Sequence, residues 1–149
     1  MLATLIASVF AVLSLLHVYW AFGGHIGLAA AVPERATHDA RSGRPRRVKI
    51  FQPSRSATLL VAGALAGMGA LVALRAGLFG AAVTHWSVQV LLSALAVVFL
   101  VRAVGDFDLL GFFKRANDSA FAFWDSVLYS PLCVALGAGL ASVAWPRTV

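Results

Sequence analysis

Few side chains in this sequence can do acid–base or charge chemistry, and they fall into one pattern. His17, Tyr19 and Trp20 close a first apolar run, Arg102, Asp106 and Lys114 follow a third, and Asp125 and Tyr129 open a fourth. Arg102 and Asp106 are four residues apart, so on a continued helix they share a face and can pair. Asp125, Tyr129 and Cys133 repeat at the same interval and share a face before any distortion by Pro131. A histidine and a carboxylate in apolar surroundings are the types needed to move a proton. Arginine and lysine among aromatics are the types that hold the polar head of a lipophilic molecule. The same residues also serve as a satisfied interfacial network that only fixes helix register. Three readings therefore stand for the cluster: a structural network, a site for a lipid-like or quinone-like molecule, and an enzyme using His17 or Asp125. Metal-ligand spacing, a glycine-rich phosphate loop and a nucleophile elbow are all missing, so neither metal nor cofactor is implied. A small exporter needs a carboxylate deep within a span. Here only Asp125 is placed to be drawn inward, so transport ranks behind the other readings.

The elements that must position these residues are membrane spans. The chain has 149 residues, is 60% hydrophobic and only 12% charged, and its mean hydropathy is +0.86. A soluble domain usually carries about 25% charged residues. The net charge of +6 lies between apolar runs rather than on a solvated face, which argues against a nucleic-acid partner. Leu2 to Phe22 is an apolar run with no acidic or basic side chain except His17, and it reaches about 31 Å as a helix, enough for a hydrocarbon core. A cleaved signal peptide is the competing reading. No Lys or Arg precedes the run, however, and it is longer than a signal core needs. Further spans are expected over about 57–75, 86–104 and 119–145, with Asn117-Asp118-Ser119 capping the last and Pro131 kinking it. Gly63 and Gly67 form a small-xxx-small pair that suits close helix packing, within the chain or in a homo-oligomer.

Residues 23–56 read as a basic loop, with seven basic residues against Glu34 and Asp39. Arg44, Arg46, Arg47 and Lys49 within it are candidates for binding anionic lipid. Four spans put this loop and the loop after the third span on one side, together with ten of the twelve basic residues. The positive-inside rule makes that side cytoplasmic and places both termini outside. Trp20 and Trp124 fall on the basic side, and Trp86 and Trp145 on the other, as two interfacial belts require. The expected fold is thus a single all-α domain over 1–149, an up-down transmembrane four-helix bundle partnered by the bilayer. The ends of the first and third spans meet the start of the fourth. That brings His17, Tyr19 and Trp20 towards Arg102, Asp106, Lys114, Asp125 and Tyr129, with Arg102 pairing Asp106 or Asp125 and His17 bonding a carboxylate or Tyr129.

The ordered set His17-Val-Tyr-Trp20-Ala-Phe-Gly-Gly24, Arg102-Ala-Val-Gly-Asp106-Phe, Gly111-Phe-Phe-Lys114, Asp125 and Tyr129-Ser-Pro-Leu-Cys133 resembles a family. Its members are small bacterial four-helix membrane proteins classed only as a domain of unknown function. The resemblance covers nearly the whole chain, the basic loop least. It implies the four-helix fold and a multi-pass place in a bacterial cell (inner) membrane, and it implies no activity.

Overall fold

The structure is a computed structural model that describes residues 1–38, 45–49, 53–106, 108, 110–114 and 119–145, with backbone alone for 34–38 and 45–49. Four helical stretches are long and apolar enough to cross a membrane: Leu2–Ala21, Arg55–Arg75, Trp86–Val104 and Ala120–Ala144. These are the spans of a multi-pass membrane protein. The first three are α1 (Leu2–Ala21), α3 (Arg55–Arg75) and α4 (Trp86–Val104). The fourth is built from α5 (Ala120–Trp124), a π-helical turn (Asp125–Tyr129) and α6 (Ser130–Ala144).

Local chemistry sets the helix ends. Ser54 caps α3 by accepting from the Ala57 N–H at 3.2 Å, and Ser119 caps α5 by accepting from Ala122 at 3.0 Å. Asn117 and Asp118, the other expected capping residues, lie outside the described residues. α4 stops at Val104 because Gly105 takes a left-handed φ of 91°. Asp106 therefore lies beyond the helix, and the four-residue spacing from Arg102 no longer puts the two on one helical face.

The basic segment was expected to be loop, yet it carries regular structure. A four-residue helix, α2 (Leu28–Ala31), is followed by β1 (Glu34–His38) and β2 (Pro45–Lys49). The strands pair antiparallel from Glu34↔Lys49 to His38↔Pro45. A chain that doubles back must satisfy its backbone polar groups, and a two-stranded ladder does so locally. The fold is accordingly four long helices with a small hairpin appended.

The helices pack as two couples. Along α1 and α3, the buried Ser14 hydroxyl donates to Ala62 O at 2.8 Å, and a Cβ at Gly69 would lie 3.2 Å from Phe10 Cβ. Along α4 and α6, a Cβ at Gly137 would lie 2.8 Å from Leu100 Cγ and 3.1 Å from Ala96 O. Glycine at these two positions lets the backbones approach closely, which is how membrane helices gain dispersion energy. Gly63 and Gly67, by contrast, have open space where a Cβ would stand. The close approach within α3 is therefore at Gly69. One apolar core joins the couples, running through Ile6, Phe10, Leu65, Val72, Leu92, Ala96, Leu136 and Leu140. Outward-facing residues such as Leu60, Val97, Val101 and Val127 are apolar and exposed, as a lipid-facing surface requires.

The contacts also sort the helix ends. At one end the Arg55 guanidinium sits 4.4 Å from the Phe22 ring centroid, and Tyr129 donates to Ala30 O at 3.3 Å. At the other, Arg75 Nη1 donates to Val83 O at 3.2 Å and Nη2 to Ala144 O at 3.1 Å. Trp145 there donates to Ser93 Oγ at 3.1 Å.

Candidate functional site

The site is centred on Asp125, and a local helical defect is what turns this carboxylate inward. Going back along the fourth span, the buried face steps through Ala144, Leu140, Gly137 and Ser130, with Cys133 partly buried between the last two. These steps are three or four residues, as an α-helix requires. The next buried position is Asp125, five residues on, followed by Phe121 and Ala122. That one interval of five coincides with the π-turn, where the Ser130 N–H bonds to Asp125 O. Each residue of an α-helix turns about 100°, so without the extra residue Ser126 would face the core and Asp125 would point sideways. Pro131 supplies the cause. It lacks the N–H that Val127 O would take, and its ring crowds that carbonyl, so the turn upstream widens. The expected sharing of one face by Asp125, Tyr129 and Cys133 is changed accordingly, because Asp125 moves onto the face of Ser130.

The residues after α4 form the second half of the site. Gly105 and Gly111 both have left-handed φ, 91° and 84°. They lie backbone against backbone, and a Cβ at Gly105 would collide with Leu110 O while one at Gly111 would collide with Val104 O. Only glycine fits such a contact. Asp106 Oδ1 closes the turn by accepting the N–H groups of Asp108 (3.0 Å) and Leu110 (2.9 Å). Phe112 N–H returns to Ala103 O at 2.9 Å. The loop thus folds back on the end of α4 and carries Gly111 and Lys114 to the carboxylate.

Asp125 is 0% exposed. Its Oδ1 accepts from Arg102 Nη2 at 2.7 Å. Its Oδ2 accepts from the Gly111 N–H at 2.7 Å and from Lys114 Nζ at 3.1 Å. Lys114 has a side chain only 1% exposed, and it also donates to Gly111 O at 3.0 Å and to Ser126 Oγ. Two cations and a peptide N–H therefore converge on one carboxylate, which is how an ionised group is tolerated away from water. Arg102 alone keeps a sizeable exposed surface, 31% of its side chain.

Of the expected cluster, the structure brings Arg102, Lys114 and Asp125 into direct contact, and Asp106 shapes the loop that serves them. Tyr129 lies on the next turn but spends its hydroxyl on Ala30 O, tying α2 to the fourth span. Among the described residues, His17 is not bonded to a carboxylate or to Tyr129. Its Nδ1 is 2.8 Å from Leu13 O in its own helix, and its ring meets Trp20 edge-on at 5.0 Å. A side chain four residues on can share an intrahelical carbonyl with the backbone N–H, and His17 does so with Leu13 O. Trp20 donates to Ile26 O at 2.8 Å, and the Tyr19 ring lies over Gly24. The α1 residues thus organise the turn that follows their own helix. Arg44 lies outside the described residues, and Arg46, Arg47 and Lys49 fall in β2, where the backbone alone is described.

Two partners were not singled out from the sequence: the Gly111 N–H and Ser126. The glycine pair at 105 and 111 around an aspartate was the available signal for a folded turn, while Ser126 meets Lys114 only because that turn carries the lysine there. Among the described residues, no group of three or more His, Cys, Asp or Glu gathers as metal ligands would.

Neither the curated proteins nor the solved structures compared with the chain contain a match. A family model does, over residues 10–140, which include every residue of the Asp125 site. The family is described as "Protein of unknown function (DUF3995)", and the chain belongs to it.

Proposed function

We propose that this protein is an up-down four-span bundle of a bacterial inner membrane whose Asp125 site is a structural lock rather than a reaction centre. The observation that carries the reading is the occupancy of Asp125: a fully buried carboxylate holding donors from α4, the folded loop and the loop's end. A general base needs a lone pair within reach of substrate, and here both oxygens are held by protein donors in a residue 0% exposed. The lock joins α4 to the fourth span and keeps the 105–114 loop folded across that end of the bundle. The concentration of basic residues at this end supports a cytoplasmic placement with both termini on the opposite side. It also supports contact of the 44–49 segment with anionic lipid.

Hydrogen exchange in lipid nanodiscs tests the lock. Asp125→Asn should speed exchange of the Gly111 and Phe112 amides while the centres of α1 and α3 stay protected. Unchanged exchange at Gly111 would remove the support for a lock. Turnover of any lipophilic substrate that disappears in Asp125→Asn while loop protection persists would restore the enzyme reading.

A further inference from the structure

Counting donors leaves one cation of the site unfinished. An ammonium has three N–H bonds, and Lys114 meets three acceptors: Gly111 O, Asp125 Oδ2 and Ser126 Oγ. Nothing of it is left for a ligand. Both Asp125 oxygens are occupied as well. Arg102 differs, because Nη2 donates to Asp125 while Nη1 is buried without a partner. The hydroxyl of Ser130, on the buried face shared with Asp125, is also without a partner, in a residue 0% exposed. Orphaned donors in apolar surroundings are costly, and more so when charged. Nη1 is covered, but the Arg102 side chain as a whole is 31% exposed. Val98, one helical turn before it on the same face, is 60% exposed.

We infer that Arg102 is a recognition residue for an oxyanion head group, and that the ligand is an anionic phospholipid lying against α4. Arg102 and Lys114 share a single carboxylate, which favours an anion over a cationic or neutral head. The guanidinium is planar and presents several N–H bonds in fixed directions, so Nη2 stays on Asp125 while a side-chain shift that uncovers Nη1 brings it to phosphate oxygens. Asp125 acts here as a positioning residue that fixes the guanidinium and never touches the lipid. The inference rests on the lock reading only in treating Asp125 as filled, and its test reads lipid selectivity rather than stability.

The experiment is native mass spectrometry of the full chain in mild detergent, given equal amounts of phosphatidylglycerol and phosphatidylcholine. Wild type should retain phosphatidylglycerol about tenfold better, the scale of one charge-assisted bond. Arg102→Lys keeps a cation for Asp125 but removes the second terminal nitrogen, and should bring the two lipids close to parity. Val98→Trp leaves the ion pairs untouched and fills the approach, so it should do the same and covers the case in which Arg102→Lys fails to fold. Replacing Arg44, Arg46, Arg47 and Lys49 together by glutamine should lower the total phosphatidylglycerol retained but leave a preference that a further Arg102→Lys removes. Persistence of the preference in Arg102→Lys or Val98→Trp, or its loss only in the loop variant, overturns the inference. No preference in wild type overturns it too. If inorganic phosphate then protects wild type but not Arg102→Lys against heat, the site takes a free anion and the lipid assignment fails.

Discussion

Replacing Asp125 with leucine leaves three donors facing a methyl group. The Gly111 N–H loses its 2.7 Å acceptor outright. Lys114 keeps Gly111 O and Ser126 Oγ but becomes a cation with a 1% exposed side chain and no counter-charge from Asp125. Arg102, with 31% of its side chain exposed, turns outward at smaller cost. Removing one partner of a buried ion pair costs about 3–5 kcal/mol, and Asp125→Leu should fall in that range. Lys114→Met should cost less, about 1–2 kcal/mol, because Asp125 retains Arg102 and Gly111. The double variant should be more stable than the sum of the two losses predicts, by about 2 kcal/mol, since it deletes the stranded cation along with the carboxylate. Equilibrium unfolding in mixed detergent micelles, followed by tryptophan fluorescence, measures all four corners of the cycle. Strict additivity, or a loss below about 1 kcal/mol for Asp125→Leu, would refute the lock.

Further outcomes follow from the same geometry. Deleting Leu128 removes the extra residue of the π-turn and rotates residues 120–125 by about 100°, so it should lower stability as much as Asp125→Leu does, again by unfolding in micelles. Gly105→Ala and Gly111→Ala each place a Cβ against backbone at left-handed φ and should cost at least about 2 kcal/mol, with rapid exchange of the loop amides. Gly63→Ala meets only open space within the chain and should be neutral or stabilising by up to about 1 kcal/mol. Arg75→Lys cannot span Val83 O and Ala144 O together and should lower the melting temperature, with new exchange at the end of α6.

The four spans were legible because membrane helices announce themselves by uninterrupted apolar length, a property of the chain that tertiary contacts do not alter. The partnership at Asp125 was legible only as a choice. Arg102 had Asp106 four residues away in sequence and Asp125 in the next span, and the decision rested on where α4 stops. Gly105 stops it, and a glycine two residues before a phenylalanine is a weak signal inside an apolar run. The inward turn of Asp125 was harder still, since Pro131 announces a distortion without saying whether the helix bends or widens. The hairpin escaped because its strands are charged rather than alternating. For His17 the sequence did not show that its Nδ1 has an acceptor, Leu13 O, in its own helix.

The coupling of α1 with α3, and of α4 with α6, has a consequence for biogenesis. Each couple is contiguous in the chain, the first ending at Arg75 and the second beginning at Trp86. The Asp125 lock lies wholly within the second, and the Ser14–Ala62 bond wholly within the first. Each half therefore brings its own principal interface into the bilayer and can enter as a helical hairpin. What remains is the seam between the halves: the shared apolar core, with Ile6 against Gly139 and Phe10 edge-on to Phe99, and the bonds of Tyr129 to Ala30 and Arg75 to Ala144. A chain severed between Ala76 and His85 and expressed as two fragments has everything it needs to reassemble, and the seam alone then sets how tightly the halves hold.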